Sequence, residues 1–188
     1  SAYYRSFFKD KGIGLATARA GNVIGGGDWS ADRLVPDMVK SWSKNEKLFI
    51  RYPLATRPWQ NVLDPLYGYI SLAEHLWKIP VEFSSGWNFG PHQNSVKTVQ
   101  ETVDLATQFW GNSSEWAISN GNHLHEQNLL QLNSEKANKF LDWQPKLDFD
   151  EAVNKTIKWY KTYYTNNQEM MEYTLNQIEE YESKSINV

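Results

Sequence analysis

The chain has 188 residues, of which 40% are hydrophobic and 14% aromatic, so an ordered globular core is expected rather than disorder. Its net charge of −3 and its scattered basic residues argue against nucleic acid as the main partner. No apolar run approaches the roughly 20 residues needed to cross a bilayer, and the absence of cysteine excludes disulfides and thiolate chemistry. We therefore expect a cytoplasmic protein with no membrane partner.

The first residues predict the end of a helix. Residues 1–8 carry apolar side chains at helical spacing, but neither an N-cap nor an initiator methionine precedes them. We therefore expect a piece of a longer protein, cut within this helix. Gly12 and Gly14 end the helix, and residues 15–20 follow as a short strand without clear alternation. That pattern is typical of a strand covered on both faces in a parallel sheet.

The next segments alternate between helix and strand. Residues 21–32 predict a glycine-rich polar loop, and Asp32 is a candidate cap for a helix over residues 33–44. Residues 48–51 and 59–63 predict two short strands. Asp64 and Pro65 then predict a helix start, with Asp64 as the N-cap and proline at the first helical position.

The second half continues the pattern. Residues 86–91 predict a strand that ends at a Gly-Pro turn, and residues 98–110 predict an amphipathic helix. A strand over 129–132, a helix from Asn133 or Ser134 to Leu141 and a long helix opened by Asp148 follow. Residues 1–165 are predicted to form the main unit. Residues 166–188 are expected to be a polar helical or frayed tail, in which residues 179–182 form a solvated face. Alternating strands and helices indicate an α/β fold.

Two motifs carry the chemistry. Residues 20–29 run from an apolar strand into a glycine turn that contains Asn22, and residues 56–62 form a basic and aromatic strand that contains Arg57. Glycine lets a backbone approach a ligand closely, while Asn and Arg supply hydrogen-bond donors. A polar, phosphate-bearing ligand is therefore predicted. Purely structural interpretations also stay open: Asn22 caps its own turn, Arg57 forms a surface ion pair, and Arg51 is solvated without a ligand role.

The motifs at residues 20–29, 32–37, 57–66, 87–91 and 123–126 together resemble the C-terminal part of the CDP-glucose 4,6-dehydratase family, within the extended short-chain dehydrogenase/reductase superfamily. This resemblance implies the C-terminal part of a Rossmann-type doubly wound sheet plus a small α+β substrate-binding region. It implies a full enzyme with an N-terminal NAD-binding domain. Such enzymes oxidise the sugar of CDP-glucose at C4, eliminate water across C5 and C6, and return the hydride to C6.

The resemblance also implies roles for individual residues. Asn22 and Asn88 match ligands of the diphosphate region, Arg57 matches an arginine that grips a phosphate, and Arg33 with Leu34 matches a pair along the nucleotide. His125 departs from the arginine found in dTDP- and GDP-sugar dehydratases. The predicted substrate-binding residues are Asn22, Arg33, Leu34, Arg51, Arg57, Trp59, Asn88 and His125, and the residues predicted beside the cofactor are Ala20, Gly21 and Val23.

No catalytic residue and no metal site are predicted in this chain. The family's glycine-rich fingerprint and Tyr-x-x-x-Lys pair are not in it, and His123 and His125 lack a third ligand at suitable spacing. We expect NAD to belong to the full-length enzyme and not to be held tightly here, and we expect this chain alone to be inactive. A cut sheet exposes apolar faces, so a homo-oligomer is expected. The alternatives are a non-catalytic binding or assembly module and a related epimerase or dehydratase.

Overall fold

The structure, a computed structural model, describes residues 2–111, 114–119 and 132–185. Within these ranges the helices are α1 (Ala2–Phe7), α2 (Leu34–Ser43), α3 (Leu63–Lys78), α4 (Pro80–Phe83), α5 (Val99–Trp110), α6 (Glu135–Leu141), α7 (Phe149–Thr165) and α8 (Met170–Ser183). The strands are β1 (Thr17–Ala20), β2 (Asn22–Ile24), β3 (Leu48–Ile50), β4 (Thr56–Asn61), β5 (Gly86–Phe89), β6 (Val96–Thr98) and β7 (Trp116–Ile118). Short 3-10 helices cover Lys9–Lys11, Gln93–Ser95 and Asn167–Glu169.

The strands form three small sheets. β1 pairs in parallel with β5, β3 pairs in parallel with β7, and β4 lies between parallel β2 and antiparallel β6. Along the chain, α-helices lie between β2 and β3, between β4 and β5, and between β6 and β7. The predicted α/β class is therefore confirmed. None of the helices in the described ranges is long and apolar enough to span a membrane.

Two hydrophobic cores hold these elements together. The larger core lies between α2, α5, α7 and the β2 and β4 strands, and its fully buried members include Met38, Trp42, Val103 and Tyr160. The smaller core joins α3, β5 and α6 around Phe89 and other aromatic side chains. Met38 and Trp42 lie on the buried face of α2.

Several helix starts follow the sequence closely. Thr98 caps α5 and Asp148 caps α7, and each forms a reciprocal capping box with the glutamate three residues later. These boxes satisfy backbone N–H groups that a helix leaves unpaired in its first turn. Ser134 occupies the N-cap position of α6, where Asn133 Oδ1 accepts a hydrogen bond from the N–H of Glu135.

Two predicted caps are wrong. Arg33, and not Asp32, occupies the N-cap position of α2, and Asp32 adopts a left-handed backbone with φ of 60°. α3 begins at Leu63, whose N–H donates to Asn61 Oδ1, so Asp64 falls inside the first turn. Its side chain is fully buried and contacts a segment 82 residues later in the chain. There it accepts a hydrogen bond from the N–H of Lys146.

The strand boundaries also differ from the predictions. Residues 22–24 of the predicted loop form β2, because they pair with β4 from Asn22 opposite Trp59 to Ile24 opposite Asn61. β4 begins at Thr56 and includes Pro58, in agreement with the basic and aromatic strand of the second motif and earlier than the start predicted at residue 59. Thr17, Ala18 and Arg19 of β1 are exposed and Ala20 is half-buried, so this strand is not covered on both faces as predicted.

The tail is an ordered element. α8 folds back onto α7, and Tyr181 is buried within the segment that was predicted to be solvated. Its neighbours Glu180 and Glu182 are exposed, as predicted. β7 and α4 have no counterpart in the predictions. Of the predicted strand 129–132, Leu132 lies outside regular structure, and residues 129–131 fall outside the described ranges.

Candidate functional site: a cleft beside the glycine turn

A cleft of about 1030 Å³ opens between β2, β4, the start of α2 and β3. Polar and charged side chains line this cleft, and several of its lining residues also belong to the larger hydrophobic core. Six of the eight predicted substrate-binding residues line it: Asn22, Arg33, Leu34, Arg51, Arg57 and Trp59. Gly21 and Val23, predicted to lie beside the cofactor, line it as well. The cleft is thus a concave polar surface that residues from separate elements build together.

Pairing of β2 with β4 places Asn22 at the edge of the cleft. Gly21 precedes it, and a Cβ at that position would lie 2.8 Å from the carbonyl oxygen of Pro58. Real Cβ atoms do not approach a backbone oxygen this closely, so only glycine allows the two backbones to meet here. The glycine of the motif therefore sets the distance between the strands that carry Asn22 and Arg57.

The three arginines of the cleft differ in exposure. Arg57 is 8% exposed, and its guanidinium donates to the carbonyl oxygen of Thr56 at 2.7 Å. The side chains of Arg33 and Arg51 are more than half exposed, at 65% and 56%. Planar guanidinium groups bind phosphate oxygens in a two-point geometry that an ammonium group cannot match. The cleft therefore offers one buried and two exposed guanidinium groups.

Two carboxylates hold the exposed arginines. Asp28 Oδ2 lies 3.5 Å from Arg33, and Asp32 Oδ1 lies 3.7 Å from Arg51. Charge-assisted hydrogen bonds are normally about 2.7–2.9 Å long, so these pairs are loose. An anionic ligand can compete for both guanidinium groups at little cost, because exposed ion pairs contribute about 0–1 kcal/mol.

The electrostatics of the cleft affect two carboxyl groups in opposite directions. Burial alone raises the pKa of Asp28, but hydrogen bonds from Ser30 and the charge of Arg33 outweigh it and leave that pKa below its ordinary value. Burial raises the pKa of Asp37, and the charge of Asp32 adds to this effect. Asp28 is therefore anionic throughout the neutral range and can orient Arg33.

The glycine turn that closes the cleft is fixed by α7. The hydroxyl of Tyr160 accepts from the N–H of Asp28 at 2.9 Å and donates to the carbonyl oxygen of Asp28 at 2.7 Å. Burial raises the pKa of this tyrosine to about 12, so the hydroxyl keeps its proton and both hydrogen bonds. Trp29 packs edge-on against the same ring, with centroids 5.3 Å apart.

Some predicted site residues lie elsewhere. Asn88 does not line the cleft; its amide accepts from Arg19 Nε and donates to the carbonyl oxygen of Asn133. Ala20 lies at the end of β1, outside the lining. Trp59 lines the cleft but also belongs to the larger core, and its indole N–H donates to the carbonyl oxygen of Lys97. His125 falls outside the described residues.

Sequence reasoning missed some residues of the cleft. Tyr160 and Tyr52 line it, yet neither belongs to a motif that we connected with the site. Tyr160 reads in the sequence as part of the apolar face of a helix, and that signal is indistinguishable from a core position. Among the residues that the structure describes, no group of three His, Cys, Asp or Glu side chains could hold a metal ion.

Comparison with known proteins identifies relatives of this chain. It is 42% identical to CDP-glucose 4,6-dehydratase of Salmonella typhimurium strain LT2, in an alignment that covers 97% of the chain and 52% of the relative. The motif-based resemblance is confirmed. The chain spans about half the length of this curated relative and matches part of it. No protein-family model matches the chain.

Solved structures support the fold. dTDP-glucose 4,6-dehydratase of Bacillus anthracis, solved with NAD, superposes with a TM-score of 0.62 at 20% identity, over 92% of this chain and 50% of its own. UDP-glucuronic acid 4-epimerase of Bacillus cereus, solved with UDP-glucuronic acid and NAD, gives a TM-score of 0.70 at 15% identity, over 86% and 48%. The fold is that of the C-terminal part of Rossmann-type dehydratases and epimerases.

Proposed function

We propose that this chain forms the nucleotide-sugar wall of an NAD-dependent CDP-glucose 4,6-dehydratase, which converts CDP-glucose to CDP-4-keto-6-deoxyglucose. The observation that carries the proposal is the convergence of Asn22, Arg33, Arg51 and Arg57 on one cleft. An amide and three guanidinium groups match the oxygens of a diphosphate. The sequence similarity to a CDP-glucose 4,6-dehydratase supports the choice of sugar nucleotide.

In this proposal the residues of the chain bind and orient, and NAD supplies the hydride chemistry when it is bound to the whole enzyme. Arg57 grips a phosphate from within the cleft, and Arg33 and Arg51 leave their carboxylate partners to close on the ligand. Gly21 and Val23 approach the cofactor, while Asn88 and His125 remain predicted substrate ligands. The product would serve the synthesis of dideoxy sugars for surface polysaccharides, in the cytoplasm.

Titration with CDP-glucose in a calorimeter tests the binding role. Arg57→Met removes the guanidinium and is expected to weaken binding roughly 10- to 100-fold, because a hydrogen bond to a charged group contributes about 1.5–3 kcal/mol. Arg51→Met, at an exposed position, is expected to weaken it less. Lys44→Met, on an exposed lysine outside the cleft, is the control. Equal affinities of Arg57→Met and the control, in folded proteins, would contradict the proposal.

The same protein is expected to show no dehydratase activity by itself. The glycine-rich fingerprint and the Tyr-x-x-x-Lys pair of the family are not in this chain, so it has no cradle for NAD and no pair for hydride transfer. Incubation with CDP-glucose and NAD should leave the sugar unchanged. Appearance of a 4-keto sugar would overturn this expectation, and stronger binding of dTDP- or GDP-glucose would favour a related dehydratase instead.

We also propose that the protein self-associates. Self-association would also fit the alternative function of an assembly module. The outer face of α3 carries a stripe of exposed apolar side chains, comprising Leu66, Ile70, Ala73 and Trp77. Trp77 is 88% exposed and Ile70 is 70% exposed. A contiguous apolar surface of this kind favours contact with another protein surface, and a second copy of the chain is the simplest partner.

A further inference from the structure

The glycine turn lies directly on an indole ring. A Cβ at Gly26 would fall 2.0 Å from Cδ2 of Trp159, so the backbone of the turn rests against the ring with no room for a side chain. Gly27 follows with a positive φ of 84°. A Cβ at this position would lie 3.7 Å from Cη2 of Trp159. The position of Trp159 therefore limits where residues 25–28 can run.

Helix α8 sets the orientation of that ring. The indole N–H of Trp159 donates to Thr174 Oγ1 at 2.9 Å, and the hydroxyl of Thr174 donates to the carbonyl oxygen of Met170 at 2.7 Å. The single proton of the threonine hydroxyl is used in the bond to Met170, so its oxygen can only accept the hydrogen bond from the indole. Tyr163 stacks on the same indole ring, with centroids 5.8 Å and ring planes 6° apart.

The remainder of α8 is fastened to the body of the protein independently of Trp159. Glu180 pairs with Lys155 of α7 at 2.5 Å, and Gln177 donates to the carbonyl oxygen of Lys155. Tyr181 donates to the buried carboxylate of Asp64. None of these contacts involves Trp159, so a mutation can remove the bond to Trp159 without removing them.

We propose that Trp159 and Thr174 are positioning residues, through which α8 holds the glycine turn in the shape that the nucleotide-sugar cleft requires. Gly25 and Asp28 of this turn line the cleft, and the carboxylate of Asp28 lies 3.5 Å from Arg33. The ligand part of the inference rests on the proposed function above, whereas the positioning of the turn does not. Helix α8 thereby contributes to the shape of the cleft, although none of its residues lines the cleft.

A purely structural role for α8 predicts a different result. In that case, loss of any one α7–α8 hydrogen bond of similar strength would lower global stability and leave the turn unchanged. Thr174→Val removes the acceptor of the indole N–H, together with the hydrogen bond from Thr174 to the carbonyl oxygen of Met170, while preserving the shape of the side chain. Gln177→Met removes one bond between the same two helices at a site away from Trp159, and it is the matched control.

Hydrogen exchange followed by mass spectrometry reads the turn directly. We expect Thr174→Val to accelerate exchange in residues 25–29 roughly fivefold, as the loss of one hydrogen bond allows, and Gln177→Met to leave it unchanged. The affinity for CDP-glucose should fall by a similar factor in Thr174→Val alone. Thr174→Ser, which keeps the hydroxyl, should restore both quantities.

Equal exchange of residues 25–29 in Thr174→Val and Gln177→Met would overturn the positioning role. If Thr174→Val does not fold, Thr174→Ala removes the same hydrogen bond, leaves the indole ring of Trp159 intact and is judged by the same comparison. A wild-type chain that does not bind CDP-glucose would refute the proposed function only, because the exchange rates would still decide whether Trp159 and Thr174 position the turn.

Discussion

Asp64 is a buried carboxylate that joins distant parts of the chain. Its Oδ1 accepts from the N–H of Lys146 at 2.7 Å and from the hydroxyl of Tyr181 at 3.0 Å, and its Oδ2 has no hydrogen-bond partner among the described residues. Burial raises the pKa of this group to about 6, although the two hydrogen bonds and the charge of His92 oppose the shift. The charged form is therefore disfavoured in the folded protein.

This shift predicts a pH-dependent stability. Between about pH 4 and pH 6 the folded chain binds a proton that the unfolded chain has lost, so the contribution of Asp64 is full below about pH 4 and disappears as the pH rises through 6. Asp64→Asn stays neutral. Its free energy of unfolding, relative to wild type, should rise by up to about 3 kcal/mol between pH 4 and pH 7.

Urea denaturation at several pH values measures this difference, and the other titrating groups cancel between the two proteins. A difference that stays constant from pH 4 to pH 7 would show that Asp64 does not titrate with a raised pKa. The sequence could not reveal this role, because an Asp-Pro pair at a helix start is the ordinary pattern of an N-cap. Its partners lie 82 and 117 residues further along the chain.

At the scale of elements, α7 links the cleft to both the larger core and α8. It begins with the capping box of Asp148 and Glu151, and it carries Trp159 and Tyr160 two turns or more later. We expect Asp148→Ala to lower the free energy of unfolding by about 1 kcal/mol, the usual cost of losing an N-cap side chain. Asp148→Asn, which keeps an acceptor, should cost much less in the same thermal or urea unfolding experiment.

Equal losses for both Asp148 variants would mean that the carboxylate charge, and not the hydrogen bond, stabilises the helix start. This cap and the box of Thr98 were predictable, because their partners lie three residues away. The apolar face of α2 was predictable for the same reason. β7 was not, since residues 116–118 become a strand only by pairing with β3, about 70 residues earlier. Local patterns contain no information on such pairing.

The residues of the candidate site also fall into two groups, those indicated by local sequence and those that depend on distant contacts. Asn22 and Arg57 could be named from motifs, because each lies in a contiguous segment whose residue types indicate phosphate binding. Asn88 carried a similar signal but does not line the cleft, since its amide is directed to Arg19 and Asn133. Tyr160 could not be named, because its role depends on a contact with Asp28, 132 residues away.

For the whole molecule, the exposed stripe on α3 predicts an assembly. Ile70→Glu combined with Trp77→Glu places two charges within the stripe and should reduce self-association in sedimentation velocity experiments over a range of concentrations. Leu54→Glu, at a residue that is 77% exposed outside α3, is the control and should sediment like wild type. A wild-type chain that is monomeric at every concentration would contradict the prediction.

The contact between Tyr160 and Asp28 has a consequence for biosynthesis. A ribosome makes the glycine turn long before it makes α7 and α8, so for most of translation the turn has nothing to rest on. Contacts between such distant residues close slowly, because the entropy of a large loop must be lost before they form. A nascent chain released before α7 emerges would therefore contain both motifs of the cleft but not the tyrosine that fixes the glycine turn.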